Sequence, residues 1–373
     1  MTRRHWLVSS SGLFSQTKSP AFFTIAKSNG RWWFRTPEGR PFFSAALNHI
    51  DSSTLRYPEN IGIWENKYGN SQLRWIRESV APNLRKWGFN SVGWVQEVSI
   101  MRHAHTPPFS LEEYQALGLP YFHLLPFIET HQWNPWHKNP DLRSQDFRDW
   151  CDYVARDACS RLKNDPNLVG YFYSDCPTWV HSNPYTKWRG PMFDPEALKS
   201  PAGRAELSSL ATHYYTVTRD AVRRYDPHHL LLGDRYEANQ PLPMEVVNAA
   251  RPLVDALSFQ DFKDPIGQMR DWHQRTSMPV LWADGSRAIN VPDSSGRYEG
   301  NVYKQLDGAW YGTVLRGLRD NPGAIGAHLC GAYLRNRFRA KGLLDEQERP
   351  DEKALAPIAS AHRELALWLN SSR

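Results

Sequence analysis

The feature that most constrains this chain is a repeated unit, in which a short apolar run ends in a polar or acidic residue and an amphipathic helical segment follows. A short apolar run of this kind is typical of a buried strand, and strands that alternate with helices build a parallel α/β sheet. Eight such runs end near residues 47, 95, 128, 175, 233, 259, 283 and 329. The sequence therefore predicts an α/β protein with a single (β/α)8 barrel.

Helices and an N-terminal hairpin complete the predicted architecture. Apolar residues at helical spacing predict helices over 71–87, 144–163 and 205–224 and a final helix over 355–370. Before the first strand, turn residues at 28–30 and 37–39 separate aromatic runs, which predicts a short β-hairpin. We expect residues 1–20 to be a loose, Ser-rich leader and residues 21–373 to form the barrel domain.

Composition argues against several classes of protein. The formal charge is +6, and Lys and Arg are scattered rather than grouped, which gives little support to nucleic-acid binding. None of the four cysteines forms a CxxC pair, so we expect reduced thiols rather than a disulfide framework or a zinc clamp. The N-terminus lacks an apolar h-region and no run is long enough to cross a bilayer, which predicts a cytoplasmic protein without a membrane segment.

Carboxylates follow most of the predicted strands, where the catalytic groups of a (β/α)8 barrel lie. They are Asp51, Glu97, Glu129, Asp175, Asp234, Glu237, Asp261 and Asp284. Two carboxylates across a cleft, one protonated and one ionised, are the usual requirement for cleaving a glycosidic bond. Carboxylate oxygens also suit a divalent cation. A metal-dependent sugar isomerase or lyase using Glu129, Asp234, Glu237 or histidines is therefore an alternative.

Other polar and aromatic residues near these strand ends predict substrate contacts. Sixteen tryptophans are more than ordinary usage, and a flat aromatic face suits a sugar ring. Histidine and amide side chains can bind sugar hydroxyls, and Arg235 can pair with Asp234 or bind an anionic sugar. The predicted contacts are Asn48, His49, Trp94, Gln96, His131, Trp133, Trp179, His181, Arg235, Asp261, Trp282 and His328. Neither a metal nor an organic cofactor is predicted.

Six segments, taken in order, carry a family resemblance: NGRWWFRTPEGRPFFSAALNHID, WGFNSVG, LGDRYEAN, VDALSFQDF, PVLWADGS and GLLDEQERP. They resemble the β-agarase-like glycoside hydrolases, which are retaining (β/α)8 barrels. The resemblance implies a glycosidase whose substrate is an oligosaccharide or glycoside. In that family the fourth strand reads YFSDNE, whose Asn orients substrate and whose Glu is the acid/base, and the seventh strand carries a nucleophilic Glu.

Aligned without gaps, YFSDNE falls on residues 171–176, so the resemblance places Asp175 at the family's Asn and Cys176 at its acid/base Glu. The nucleophilic Glu falls on Asp284. Because Asp is one methylene shorter than Glu, the gap between the carboxyl groups widens from about 5 Å toward the roughly 6.5–9.5 Å that admits a water molecule. We therefore predict an inverting hydrolysis with Asp175 as acid and Asp284 as base, although the two roles are exchangeable on this evidence.

Alternatives to this assignment follow from the same residues. Glu129 or Glu237 could replace one of the two aspartates, and Cys176 is expected to be a buried, small apolar residue. A short oligosaccharide suits a cytoplasmic protein better than a polymer, so exo action is expected. A sugar-binding barrel without activity is the remaining alternative, and in it the two aspartates would have no catalytic role.

Overall fold

The computed structural model describes residues 22–95, 97–98, 105–128, 139–182, 190–292, 302–336 and 341–372. Its strands are β1 (Thr24–Ser28), β2 (Arg31–Arg35), β3 (Pro41–Phe42), β4 (Ser44–Leu47), β5 (Ser91–Val92), β6 (Glu97–Val98), β7 (His105–Thr106), β8 (Tyr121–Leu124), β9 (Leu168–Phe172), β10 (Leu230–Leu231), β11 (Arg235–Glu237), β12 (Leu257–Gln260), β13 (Val280–Asp284), β14 (Ala288–Pro292), β15 (Val302–Leu306) and β16 (Ala324–Leu329). The leader predicted for residues 1–20 lies outside the described residues.

The α-helices of the described residues are α1 (Ile61–Tyr68), α2 (Gln72–Trp75), α3 (Ala81–Lys86), α4 (Leu111–Leu117), α5 (Gln145–Leu162), α6 (Pro201–Tyr225), α7 (Met244–Ala250), α8 (Pro265–Thr276), α9 (Gly308–Asp320) and α10 (Glu352–Ser371). A π-helical turn at Ile76–Val80 joins α2 to α3, and 3-10 turns lie at Ser53–Arg56 and Pro195–Lys199. Within the described part of the chain, no helix combines the length and the apolar character needed to cross a membrane.

Nine parallel strands form one curled sheet, in the order β10-β9-β8-β5-β4-β16-β13-β12-β11. The two outermost strands, β10 and β11, are separated in the chain only by residues 232–234. Asp175, which follows β9, forms a parallel bridge with Arg235 of β11. The α/β class predicted from the repeated unit is confirmed, and the carboxyl ends of the strands meet at one edge.

The predicted elements lie where the structure has strands and helices, with differences in some bounds and at the fifth strand. The second and third strands end at Val92 and Leu124 rather than near residues 95 and 128, and the helix predicted over 71–87 is divided into α2, the π-helical turn and α3. Helices predicted over 144–163 and 205–224 correspond to α5 and α6, and α6 begins earlier because Ser200 accepts a hydrogen bond from the Gly203 amide. A continuous strand was predicted over 230–233. The structure instead has β10 and β11, because Gly233 adopts a left-handed conformation with φ of 62° and interrupts the ladder.

The predicted N-terminal hairpin forms the first part of a three-stranded antiparallel sheet, β1-β2-β3. Asn29 and Gly30 connect β1 to β2 with φ values of 50° and 78°, as a tight hairpin turn requires. The amide of Trp32 donates to the carbonyl of Pro322, just before β16, at 2.8 Å. This small sheet therefore lies at the amino ends of the parallel strands, on the side opposite the carboxylates.

Apolar side chains form two layers, one on each face of the curled sheet. The concave face carries Phe122, Phe172 and Leu281, and Phe34 of β2 packs onto this layer with its ring 5.8 Å from that of Phe122. The larger layer lies between the sheet and the helices. Both faces of the strands are therefore buried, as expected for a parallel sheet covered by helices.

Glycine at position 170 is required by strand spacing, which gives a test of the fold. A Cβ at Gly170 of β9 would lie 2.4 Å from the carbonyl oxygen of Leu230 in β10, so one strand would have to move. We expect Gly170→Ala to lower the free energy of unfolding by about 1–3 kcal/mol in urea denaturation.

The control for this substitution is Gly190→Ala. No atom lies within 4 Å of a Cβ built at Gly190, so this variant should unfold within about 0.5 kcal/mol of the parent chain. Equal unfolding midpoints for the two variants would contradict the strand pairing between β9 and β10.

Candidate active site

Arg235, the first residue of β11, lies at the centre of a buried cluster of polar side chains. Its side chain has no exposed surface. Nη1 donates to Oδ1 of Asp175 at 3.1 Å, and Nη2 donates to the carbonyl of Ala283 at 2.9 Å. Nη2 also lies 3.4 Å from Oδ2 of Asp284. One guanidinium therefore contacts carboxylates at the ends of two different strands.

Aromatic rings hold the guanidinium from the concave face of the sheet. Its central carbon lies 4.9 Å from the ring centroid of Trp94 and 5.5 Å from that of Phe172. A desolvated cation near aromatic rings gains electrostatic attraction from them, and the contact also restricts rotation of the planar group. Arg235 is therefore fixed in a position that faces both aspartates.

Asp175 follows β9 and is almost completely buried, with a side chain 2% exposed. Gln260, at the end of β12, also donates its amide to Oδ1 of Asp175. Burial raises the pKa of Asp175 to about 7; Arg235 opposes this change, while the charges of Asp284 and Glu237 add to it. Near neutral pH this carboxyl group therefore exists in both protonated and ionised forms.

Asp284 ends β13 and is held by Asn48, which follows β4. Nδ2 of Asn48 donates to Oδ1 of Asp284 at 2.6 Å and to the carbonyl of Ala283 at 2.9 Å. Its Oδ1 accepts the amide of Trp94 at 2.9 Å, so the whole amide group is engaged. A Cβ at Gly93 would lie 2.0 Å from that Oδ1, which explains why a glycine precedes Trp94.

The contacts to Arg235 set an upper limit on the distance between the two carboxylates. The terminal nitrogens of the planar guanidinium are about 2.3 Å apart, so the contacts to Arg235 limit the distance between Oδ1 of Asp175 and Oδ2 of Asp284 to about 9 Å. Carboxyl groups that cleave glycosidic bonds are separated by about 5–9.5 Å. The upper limit of about 9 Å is compatible with such a pair of carboxyl groups.

Glu237 and His181 form a more exposed pair beside this cluster. Nε2 of His181 lies 3.2 Å from Oε2 of Glu237, and their side chains are 11% and 21% exposed. Glu237 is two residues after Arg235 in β11, so both side chains leave the strand on the same face. The structure thus brings together Asn48, Trp94, Asp175, Arg235, Glu237, His181 and Asp284 from the predicted site residues.

Two other predicted carboxylates organise local turns. Oδ1 of Asp51 accepts the amide of Ser53 at 3.0 Å. Oδ1 of Asp261 accepts the amides of Lys263 and Asp264 at 2.7 and 2.6 Å, which shapes the turn before α8. A short side chain that binds the backbone two or three residues later is typical of an Asx turn. In this structure Asp261 therefore has a local role, and the contact to Asp175 comes from its neighbour Gln260.

Asp234 lies on the helical side of the sheet, away from Arg235. Its carboxylate accepts hydrogen bonds from Tyr214 and Tyr215 of α6 at 2.7 and 2.6 Å. Burial raises the pKa of Asp234 to about 6, and the two tyrosines oppose that change. The pairing of Asp234 with Arg235 considered from the sequence does not occur. Asp234 directly precedes β11, and successive side chains of an extended chain face opposite sides.

Trp179 and Trp282 also lie in the layer between the sheet and the helices. Both side chains are fully buried. The Trp179 ring is stacked near Tyr215, with centroids 6.2 Å apart, and the Trp282 ring contacts Trp310 of α9, with centroids 5.9 Å apart. Their stacking on a sugar was predicted, but the structure does not bring either ring to the polar cluster.

The two predicted histidines of the sheet occupy different positions. His328 is fully buried on the concave face, where Nε2 lies 2.9 Å from Oγ of Ser44, and burial lowers the pKa of its ring well below the usual value. His49 follows Asn48 and has a left-handed backbone, with φ of 61°. His328 is thus a neutral interior residue, while His49 lies at the strand ends. The remaining predicted site residues lie outside the described residues: Gln96, Glu129, His131 and Trp133.

Cys176 and Cys330 have different neighbours in the structure. Burial raises the pKa of the Cys176 thiol well above its usual value, and the backbone amide of Cys176 donates to the carbonyl of Arg235 at 3.0 Å. Cys330, which follows β16, was not among the predicted site residues. Its Sγ lies within 4.8 Å of ligand atoms of His49 and Asp284. A lone cysteine after a strand gives no motif, so sequence reasoning had no signal for this proximity.

The raised pKa of Asp175 predicts a specific dependence of stability on pH. Between about pH 4 and pH 7, Asp175 is largely protonated in the folded state and largely ionised in the unfolded state, where its pKa is near 3.8. The stabilisation from this group is therefore present below about pH 4 and is lost as the pH rises through about 7. Asp175→Asn removes this titrating group. Between about pH 4 and pH 7, the free energy of unfolding of the variant should therefore fall less than that of the parent chain, and the difference should be on the order of a few kcal/mol.

Urea unfolding across this pH window measures the difference between the two chains. Asp194→Asn is the control, because Asp194 is exposed at the start of a 3-10 turn, where asparagine also serves as a cap. The control should follow the parent chain at every pH. Parallel curves for the parent and Asp175→Asn would show that burial does not shift this carboxyl group.

Comparison with known proteins supports the fold. No family model matches the chain. Beta-agarase B from Vibrio sp. (strain JT0107) is 26% identical over 126 residues, which are 33% of this chain and 13% of that protein. A solved exo-beta-agarase superposes with a TM-score of 0.69 and 16% identity, over 94% of this chain and 65% of that one.

Two further solved structures have the same fold. An agarase aligns with a TM-score of 0.67 and 18% identity, over 94% of this chain and 63% of that one. A beta-glucuronidase from Bacteroides uniformis aligns with a TM-score of 0.58 and 11% identity, over 92% of this chain and 37% of that one. The chain thus spans less than two thirds of the length of each of these four relatives. The predicted resemblance to β-agarase-like glycoside hydrolases is confirmed, and the chain has their fold.

Proposed function

We propose that this chain is a glycoside hydrolase in which Asp175 is the general acid and Asp284 is the general base. One observation carries the proposal: a buried arginine holds carboxylates from two strand ends, and burial raises the pKa of one of them to about 7. A carboxyl group with such a pKa can donate a proton at neutral pH. The fold shared with agarases and glucuronidases supports the same class of reaction.

The proposed scaffold is a (β/α)8 barrel whose fifth strand consists of β10 and β11. On one side, the amide of Tyr173 donates to the carbonyl of Gly233 at 2.8 Å, and that of Arg235 donates to the carbonyl of Ser174 at 2.9 Å. On the other side, β11 pairs in parallel with β12. These contacts connect the two ends of the nine-stranded order, and the polar cluster then lies at the end of the barrel where catalytic groups are found.

In the proposed reaction, Asp175 donates its proton to the glycosidic oxygen as the bond to the anomeric carbon breaks. Asp284, oriented by Asn48, removes a proton from the water that attacks the same carbon. In this scheme Asp284 is ionised before the reaction and Asp175 is ionised after it. Arg235 contacts both, so its single positive charge balances the negative charge in either state.

The proposed substrate is an oligosaccharide or glycoside cleaved from its end. A solved neighbour is an exo-beta-agarase and the curated relative is a beta-agarase, which support this substrate class and exo action. The proposed contacts to sugar hydroxyls beside the acid come from the more exposed pair Glu237 and His181. Inversion at the anomeric carbon is proposed because both reacting groups are aspartates, whose shorter side chains leave room for a water molecule.

A second candidate is a sugar-binding barrel without hydrolytic activity. The observation that favours it is the low exposure of the candidate pair, 2% for the Asp175 side chain and 6% for that of Asp284. Ion pairs this deeply buried also occur as purely structural features. The two candidates differ in turnover, not in sugar affinity.

Substitution of the two aspartates tests the catalytic assignment. Asp175→Asn and Asp284→Asn should each lower kcat by about 10²–10⁴-fold on the best substrate from a panel of oligosaccharides and aryl glycosides, because each removes one proton transfer. EDTA should not lower the activity of the parent chain, because no step of the proposed hydrolysis requires a metal ion. Asp194→Asn, on the exposed surface, is the matched control and should retain full activity.

Two results would overturn the assignment. Unchanged kcat in both variants would place catalysis elsewhere. Sugar binding by the parent chain without any turnover, measured by calorimetry on the same panel, would establish the second candidate.

The stereochemistry of the first product tests the inverting mechanism. Proton NMR during the first minutes of hydrolysis should show the anomer opposite to that of the substrate, since water attacks the anomeric carbon directly. Mutarotation of the free sugar then gives the equilibrium mixture and serves as the internal control. A first-formed anomer with the configuration of the substrate would mean that one carboxylate acts as a nucleophile.

A further inference from the structure

We propose that His49, Asp284 and Cys330 bind a zinc-like divalent cation at the strand ends. A ring nitrogen of His49, a carboxylate oxygen of Asp284 and Sγ of Cys330 all lie within 4.8 Å of one another, and all three residues are buried. They follow or end β4, β13 and β16, which are neighbours in the sheet. Three potential ligands from separate parts of the chain thus converge on one point.

The spacing is close to that of a tetrahedral site. With bonds of about 2.0–2.3 Å to nitrogen, oxygen and sulfur, the ligand atoms around tetrahedral zinc are roughly 3.5 Å apart. The observed limit of 4.8 Å therefore requires side-chain movements of about 1 Å at most.

Backbone hydrogen bonds hold the three strand ends together. The amide of His49 donates to the carbonyl of Trp94 at 2.8 Å, and the carbonyl of His49 accepts the amide of Tyr333 at 2.8 Å. The amide of Cys330 donates to the carbonyl of Gly285 at 2.9 Å. His49 keeps a left-handed φ of 61°, which costs free energy for a residue other than glycine. These bonds fix the backbone positions from which His49 and Cys330 extend.

The donor set favours zinc over harder cations. Imidazole nitrogen, carboxylate oxygen and thiolate sulfur together suit zinc, whereas magnesium and calcium prefer oxygen alone. A carboxylate and a thiolate neutralise the two positive charges. Three protein ligands leave one position open, as in zinc sites that hold a water molecule.

Neighbouring groups both support and limit this site. Nδ2 of Asn48 donates to Oδ1 of Asp284 at 2.6 Å and orients that carboxylate, as outer hydrogen bonds do in known metal sites. Nη2 of Arg235 lies 3.4 Å from Oδ2 of Asp284, so a cation has to share this residue with the guanidinium. The affinity should therefore be lower than that of a closed structural zinc site. If the proposed function holds, a bound cation also withdraws Asp284 from hydrolysis and inhibits the enzyme.

Cobalt(II) is the probe for this site, because a thiolate bound to cobalt gives a charge-transfer absorption that does not depend on turnover. The full chain, freed of metal with a chelator, should show this band and reach saturation at one cobalt per chain. Zinc should displace the cobalt and remove the band. Cys330→Ser should abolish the band, and His49→Asn should weaken cobalt binding at least tenfold.

Two controls separate a lost ligand from a damaged fold. His49→Asn keeps a residue that tolerates positive φ, so the backbone conformation is preserved while the imidazole is lost. Cys151→Ala removes a buried thiol of α5, outside the three ligands, and should retain the full band. Zinc should raise the unfolding temperature of the parent chain and of Cys151→Ala, but not that of Cys330→Ser.

The outcomes are distinct from those that test catalysis. A parent chain without the thiolate band, or a band that survives in Cys330→Ser, overturns the site. Asp175→Asn does not alter any of the three ligands, so it should keep the cobalt band even though the proposed function requires it to lose hydrolysis. Failure of the glycosidase assignment therefore leaves the cobalt result unaffected, and the reverse also holds.

Discussion

The contact between Arg235 and two aspartates is the interaction on which the architecture of the strand ends depends. A guanidinium with no exposed surface loses its hydration, and only nearby carboxylates, carbonyls and aromatic faces compensate for that loss. Asp175 and Asp284 are nearly as buried, and each would be costly in this interior without a cation. The three side chains therefore stabilise one another, and the break at Gly233 determines where β11 begins and hence where the arginine points.

Asp284 lies beside several different kinds of polar group in this cluster. It meets an amide donor from Asn48, a cation from Arg235, and potential metal ligands from His49 and Cys330. Its position at the end of β13, beside β16, explains this convergence, because parallel strands present their carboxyl ends at one edge. Proton transfer and cation binding are alternative uses of the same carboxylate, so the two proposals describe states that exclude each other.

Neighbouring residues at the boundary of a strand serve different layers of the fold. Asp234 anchors two tyrosines of α6, while Arg235 faces the concave side and contacts Asp175. At the end of β12, Gln260 faces Asp175 and Asp261 shapes the following turn. The alternation of side chains along a strand produces this division, and a shift of one residue would exchange the two roles.

Much of the architecture was determined by the sequence itself, because it depends on local chemistry. The spacing of apolar residues predicts α5 and α6, Asn29 and Gly30 predict the first turn, and the polar ends of the strands include both aspartates of the cluster. Only the tertiary structure decided which side of each strand faces the cluster, how burial shifts the pKa of Asp175, and that Cys330 lies near His49. These properties depend on contacts between residues far apart in the chain. The curled sheet sets the strand register, and with it which residues become neighbours and how completely they lose water.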